Sequence, residues 1–400
     1  MEWVKGGVTA PAGFLASGLR SGVKVLARDL GLLYSEVPAE AAAIFTTSRL
    51  WGAPLYVTRD HLKGGRLQAV IVNSGNANCC TGKKGIEDAK RMTRFAAKSL
   101  GISEKRVAVC STGVIGVPLP MGRIEKKVPA LVSDLSRKNH IEFTESIMTT
   151  DKKLKEAAVR FSVRNRIGTI GGSCKGSGMI HPKMATMLAF ITTDVAVKGS
   201  LLKGLLKEIG EKTFNRITVD GDMSPNDSVI ILANGLCGNR PIASQKDHSF
   251  KLFEKSLFAV MEALSKKIVA DGEGVTRVAK VVVSNAKNEV EALGACRAVA
   301  NSNLVKTALF GRDPNWGRIA ASVGASGAHF SPERLSIALG KVWFLRKGTP
   351  ARPSERSVKT IFKENPVELR IDLASGKASA SMWGCDLSDE YIRINAHYRT

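Results

Sequence analysis

The 400 residues are 44% hydrophobic, which is enough for two lobes or one large α/β unit and more than a single small core requires. No stretch reaches the roughly 18 apolar residues of a membrane-spanning helix, and the opening Met1-Glu2-Trp3-Val4-Lys5-Gly6-Gly7 lacks the apolar region of a secretion signal, so a cytoplasmic protein is expected. The net charge of +23 raises the question of a nucleic-acid partner, but Lys and Arg stand singly or in pairs such as Lys83-Lys84 and Lys266-Lys267, with only 6% aromatic residues to stack bases, which favours a solvated surface.

In chain order, apolar β-branched runs alternate with helical patterns. Residues 68–73 read as a buried strand, and 86–100 as a helix with Ala89, Met92, Ala96 and Leu100 on one stripe. A strand over 106–110 runs into Ser111-Thr112-Gly113. There a hydroxyl and a glycine amide can point into one cleft, the pair of donors an oxyanion needs. Later elements are a helix over 201–214, a strand over 228–233, a long helix over 249–270, and strands over 277–284, 335–344, 367–373 and 378–383. Residues 346–354, rich in Pro and charge, read as a loop. The alternation implies a layered α/β architecture.

The most informative stretch lies between the second and third of these groups, from Gly171 to Asp194. It is read as a flexible glycine-rich loop, with Lys175 projecting a cation into a pocket, followed by an apolar strand that opens at Thr186 behind the small residue Ala185. The Thr186 hydroxyl can attack the Ala185 carbonyl, shifting amide to ester. Hydrolysis then frees Thr186 as a new N-terminus whose side-chain oxygen is a nucleophile and whose α-amine, with an ordinary pKa of roughly 7.7–8.0, is a base. The bond divides the chain into residues 1–185 and 186–400.

Other motifs are weaker. The glycines fit neither common phosphate-binding pattern. Asp220-Gly221-Asp222-Met223-Ser224-Pro225-Asn226-Asp227 begins like a calcium loop, yet its sixth position is Pro225 and its twelfth Ile231, so no metal is expected there. Asp271-Gly272-Glu273 reads as a helix-terminal turn, and the tail Ile394 to Thr400 as a frayed end. The seven cysteines are irregularly spaced without a metal-binding pattern, and Cys174 has no evident activating partner.

Taken together, Asn73-Ser74-Gly75-Asn76-Ala77-Asn78, Ser111-Thr112-Gly113-Val114-Ile115-Gly116, Lys175, His181-Pro182-Lys183-Met184-Ala185-Thr186-Met187-Leu188, Asp220-Gly221-Asp222, Asp271-Gly272-Glu273-Gly274, Gly311-Arg312-Asp313-Pro314-Asn315-Trp316-Gly317-Arg318 and Ile394-Asn395-Ala396 resemble the ornithine acetyltransferases of arginine biosynthesis, from Gly6-Gly7 to the last residue. The resemblance implies a layered α/β sandwich shared with β-aminopeptidases and carrying an N-terminal nucleophile. It implies a precursor cut between Ala185 and Thr186 into α and β chains that stay intertwined, typically as α2β2. It implies Thr186 as nucleophile, Thr112 and Gly113 as oxyanion hole, and Thr149, Lys175, Thr186, Glu273, Asn395 and Thr400 as substrate contacts. The implied reaction is ping-pong transfer of acetyl from N2-acetyl-L-ornithine to L-glutamate, with no metal or organic cofactor. It leaves open whether acetyl-CoA is a second donor. An amidohydrolase or β-aminopeptidase using the same threonine, and a nucleic-acid-binding protein using the charge, are the competing readings.

Overall fold

The computed structural model describes residues 1–181 and 187–397. They form two compact units, one of Met1–Asn215 with Asp222–Ile268 and one of Arg216–Gly221 with Val269–Thr400. Neither boundary falls at the 185–186 bond. Among the described residues no helix is long and apolar enough to cross a membrane.

The first unit holds nine strands: β1 (Glu2–Val4), β2 (Phe14–Leu19), β3 (Leu30–Phe45), β4 (Arg66–Asn76), β5 (Val107–Val114), β6 (Lys155–Val163), β7 (Arg166–Lys175), β8 (Leu188–Thr193) and β9 (Ser228–Ala233). They hydrogen-bond in the order β1-β6-β7-β8-β9-β3-β4-β5, with β2 also on β3. The sixteen-residue β3 joins the two halves: Leu30 to Tyr34 pair with β4, Glu40 to Phe45 pair with β9, and the register shifts in between, where Pro38 has no N–H to give a ladder. Strands distant along this path nevertheless meet. Val70 and Val72 of β4, Ala108 and Cys110 of β5, Leu188 and Phe190 of β8, and Ile230 and Leu232 of β9 share one buried cluster with Phe143 and Ile147 of the helix His140–Ile147. The sheet therefore folds over on itself at β3, enclosing a core between its halves.

Alternate side chains face outward. Ala69 and Ile71 of β4 with Val107 and Val109 of β5 pack against Ala89, Met92 and Ala96 of the helix Gly82–Leu100 and Ile124, Val128 and Leu131 of the helix Met121–Ser133. Apolar burial on both faces explains why β4 and β5 read as near-continuous apolar runs. The helix Phe250–Ala270 covers β6 and β7, with the rings of Phe253 and Phe161 centred 6.3 Å apart and Leu264 against Gly172.

The glycines at 171 and 172 correct the sequence reading. They lie inside β7 rather than in a flexible loop. A Cβ at Gly171 would stand 2.0 Å from the Gly7 carbonyl oxygen, and one at Gly172 would stand 2.8 Å from Ile191 Cδ1 and 2.9 Å from Leu264 Cδ1. These glycines serve close packing of neighbouring chain, and only Gly176 and Gly178 follow the strand.

The second unit is a six-stranded sheet of β10 (Val278–Ala286), β11 (Ser336–Leu339), β12 (Val342–Arg346), β13 (Thr349–Pro350), β14 (Val367–Asp372) and β15 (Ala378–Cys385), ordered β13-β12-β11-β14-β10-β15. The single strand expected over 335–344 is a hairpin, turning at Gly340 with φ of +57°. Its core packs against the helices Glu289–Asn301, Asn303–Phe310 and Trp316–Gly324, whose first turns are capped by the side chains of Asn288, Ser302 and Asn315.

Candidate active site

In the first unit the C-terminal ends of β4 and β5 carry Gly75 and Gly113 in register. The ladder then becomes irregular, with Asn76 opposite both Thr112 and Val114, a bulge of the kind that re-aims strand ends at functional sites. Gly113 has φ of +134°, and a Cβ there would lie 2.3 Å from the Gly75 carbonyl carbon and 2.4 Å from the Asn76 nitrogen. Only glycine fits. The asparagine motif before it binds the local backbone: Asn73 Nδ2 donates to Asn76 O at 2.9 Å, Asn76 Nδ2 to Val117 O at 3.0 Å, and Asn78 Nδ2 to Gly85 O at 2.9 Å.

Lys175 closes β7, paired in register with Leu188 at the start of β8. Its side chain is fully buried, and its Nζ donates to Thr112 Oγ1 at 3.2 Å. A hydroxyl oxygen that accepts from a cation keeps its own O–H to donate elsewhere. Thr112 is thereby oriented as a donor. Thr149 lies just beyond the helix His140–Ile147, its backbone N–H donating to Asp151 Oδ2 at 3.0 Å.

Asp151 and Lys155 escaped the sequence reading. Asp151 Oδ1 accepts from Lys155 Nζ at 2.6 Å and from the Gly176 N–H at 2.8 Å, so one buried carboxylate ties the Thr149 segment to the residue after Lys175. Burial pushes this carboxyl up, but Lys175, Lys155 and the Gly176 N–H outweigh it and hold the pKa at about 2. Lys24 belongs to the same cluster: its Nζ donates to Met148 O at 2.9 Å, and burial lowers its pKa to about 8 against the opposing pull of Asp29 and Asp151, with Lys175 adding to the lowering.

Asp151→Asn is expected to destabilise the protein by about 3–5 kcal/mol at neutral pH, because it leaves the buried Lys155 without its counter-charge. A carboxyl held below its usual pKa of 3.8 stabilises the fold above that value and loses the effect as pH falls through about 2. The difference in melting temperature between variant and parent should therefore be full at pH 6 and shrink toward pH 2. A difference independent of pH would count against the charge pairing.

At the other side of the expected nucleophile, the Met187 N–H donates to Asp227 Oδ1 at 2.9 Å. Asp227 is fully buried and its Oδ2 has no hydrogen-bond partner among the described residues. Burial raises its carboxyl well above the usual range, opposed by the Met187 N–H, Lys175 and Ser224. Cys174 is buried and its thiol pushed up to about 12, so it is not a nucleophile at neutral pH.

The structure thus brings Thr112, Gly113, Thr149 and Lys175 into the first unit's site region. Glu273 and Asn395 lie in the second unit, where Asn395 Nδ2 donates to Glu273 Oε2 at 2.7 Å and Ser388 Oγ to Gly274 O at 2.7 Å. The turn after Asp271 is thereby held against the helix Asp389–Ala396. Ala185, Thr186 and Thr400 lie outside the described residues.

The sequence profile of the ArgJ family matches residues 15–400. The arginine biosynthesis bifunctional protein ArgJ of Symbiobacterium thermophilum is 47% identical, and that of Caldanaerobacter subterraneus 46% identical, each alignment covering 100% of both chains. Among solved structures, the arginine biosynthesis bifunctional protein ArgJ of Bacillus halodurans matches at 40% identity and a TM-score of 0.50, over 52% of this chain and 97% of that chain.

Proposed function

The chain belongs to the ArgJ family, and from that premise we propose that it is the acetyltransferase of arginine biosynthesis that moves acetyl from N2-acetyl-L-ornithine to L-glutamate through an acetyl-threonine intermediate. The observation that carries the reading is the contact of Lys175 Nζ with Thr112 Oγ1. Lys175 pairs with Leu188, two residues past Thr186, so this contact joins the strand beside the one that follows the nucleophile to the residue assigned to the oxyanion hole.

In the proposed sequence the precursor first cuts itself between Ala185 and Thr186, giving α (1–185) and β (186–400) chains that remain together, as α2β2. Residues on the two sides of the bond share one sheet, β7 beside β8, which supports chains that stay associated after the cut.

Thr186 Oγ then attacks the acetyl carbonyl while its α-amine takes the hydroxyl proton. Thr112 and Gly113 bind the developing oxyanion. The C–N bond breaks, the proton passes to the departing ornithine nitrogen, and acetyl stays on Thr186. Glutamate's amine attacks this ester, the C–O bond breaks, the proton returns to Thr186, and N-acetylglutamate leaves. Lys175 is assigned to a substrate carboxylate and Glu273 to an ammonium, with Thr149, Asn395 and Thr400 completing recognition. No metal or organic cofactor enters these steps. We also assign acetyl-CoA to this chain as a second donor that loads the same threonine, and place the reaction in the cytoplasm.

The test is incubation with N-acetylornithine, with and without glutamate. Ornithine release that continues only when glutamate is present, with N-acetylglutamate formed in equal amount, is expected. Acetate release at the same rate without glutamate would make the protein a hydrolase instead.

A further inference from the structure

The nucleophile's strand and the oxyanion-hole strand share no ladder. β8 bonds to β7 and β9, whereas β5 bonds to β4 at the far end of the path. Their separation must be set by other contacts, and an oxyanion donor is effective only within a few tenths of an ångström of its place. We propose that the dipeptide Asn226–Asp227 sets that separation, acting as a positioning clamp between the two strands; the inference rests on the transferase reading above.

Each half of the clamp grips one side. Asn226 Nδ2 donates to Ser111 O at 3.0 Å and to Ala77 O at 2.5 Å, fixing the backbone immediately before Thr112 and the end of the Asn73–Asn78 motif. Asp227 Oδ1 accepts the Met187 N–H at 2.9 Å, and Ser228 N donates to Met187 O at 3.1 Å. The Met187 nitrogen is bonded to the Thr186 carbonyl carbon, and successive backbone nitrogens lie within about 3.6 Å of each other. The clamp thus acts one residue from each reacting group.

The turn that carries it is itself fixed from several directions. Thr46 Oγ1 donates to Ser224 O at 2.8 Å, the Thr46 N–H to Asp227 O at 3.1 Å, and the Gly52 N–H to Pro225 O at 3.0 Å. Both clamp side chains are buried, and Asn226 Oδ1 lies 1.7 Å from where a Cβ on Gly52 would stand. The side chain is seated against bare backbone. Asp220 to Asp227, set aside as a calcium loop, therefore ends in two residues that hydrogen-bond to the backbone of β5 at Ser111 and to Met187, just before β8.

The groups that face the Asp227 carboxyl are the Met187 N–H, Lys175 and Ser224. A positioning role requires only an acceptor oxygen there, which an amide also supplies. The experiment uses the full chain with Asn226→Ala, Gly52→Ala, Asp227→Ala and Asp227→Asn, each checked by thermal melting. In the cleaved protein, Asn226→Ala, Gly52→Ala and Asp227→Ala should lower kcat by about 100-fold with KM for N-acetylornithine within about threefold, the signature of misplacement rather than lost binding. Asp227→Asn should restore kcat to within about fivefold of the parent with an unmoved pH profile. The uncleaved fraction of freshly made protein gives a second readout that needs no substrate, and it should rise in the three disruptive variants.

Unchanged kcat in folded Asn226→Ala and Gly52→Ala would overturn the clamp. So would an Asp227→Asn protein as impaired as Asp227→Ala with a displaced pH profile, since Asp227 would then act as an acid or base. Gly52→Ala removes no polar atom of the clamp and displaces Asn226 only by crowding it, so it reads the geometry even if Asp227→Ala does not fold. A parent protein that takes no acetyl from N-acetylornithine would refute the transferase reading itself, while the cleavage readout would still judge the clamp.

Discussion

Thr186→Ala is expected to give one uncut chain with no acetyl transfer. In the proposed mechanism the hydroxyl is the attacking atom in both the self-cleavage and the transfer, and without cleavage the α-amine assigned as base is never released. The two losses arise from one atom, so activity should fall by about 10⁴-fold or more rather than by the factor of a single contact. Thr186→Ser keeps a hydroxyl and should still yield two chains, more slowly. The buried strand β8 and the Met187–Asp227 hydrogen bond lie beyond the substituted side chain, so the melting temperature of the uncut variant should stay close to that of the parent. Two chains appearing in Thr186→Ala, or transfer surviving in it, would remove the threonine from the mechanism.

Gly113→Ala is the second large effect, and its cause is steric. The added methyl would stand 2.3 Å from the Gly75 carbonyl carbon and 2.4 Å from the Asn76 nitrogen, both backbone atoms of the neighbouring strand that cannot swing aside as a flexible side chain would. The φ of +134° adds a conformational strain of about 1–3 kcal/mol for any residue with a Cβ. The ends of β4 and β5 must separate, which displaces both Thr112 and the Gly113 amide. Loss of one oxyanion donor costs about 10²–10³ in kcat, and displacement of two should cost at least that much. Steady-state kinetics with a melting curve decides it: a folded variant with kcat within a few-fold of the parent would show that Gly113 is there for packing alone.

The sequence carried the architecture wherever a local pattern was strong. The strand over 228–233 matches β9 residue for residue, and the helix stripe Ala89, Met92 and Ala96 is the face that packs on β4 and β5. It misled where a residue type has two uses. The glycines at 171 and 172 looked like loop because glycine permits distortion, whereas here it permits Gly7 and Leu264 to approach β7. The stretch over 335–344 looked continuous because Gly340 is the only interruption, and its φ of +57° makes it a hairpin turn.

The site divides in the same way. Of the proposed site, Thr112 and Gly113 stood out at a predicted strand end and Lys175 in the glycine-rich stretch, and the family resemblance assigned their roles. Asp151 and Lys155 did not stand out, because Thr-Asp-Lys-Lys-Leu-Lys over 150–155 reads as a solvated charged run, and nothing local reveals that Lys155 is buried and paired with Asp151 at 2.6 Å. Asn226 and Asp227 were weighed only as metal ligands. Their partners, Ser111 and Met187, are 115 and 40 residues away in sequence. Such long-range pairs are set by the folding-over of the sheet at β3, which only the three-dimensional structure displays.

The acetyl-threonine claim is tested most directly by intact-mass and peptide mass spectrometry of the protein mixed with N-acetylornithine in the absence of glutamate. The account predicts two chains, with one acetyl group on the chain that begins Thr-Met-Leu-Ala, and loss of that group as N-acetylglutamate when glutamate is added. A single uncut chain of 42.8 kDa, or two chains that never carry acetyl on Thr186, would contradict it.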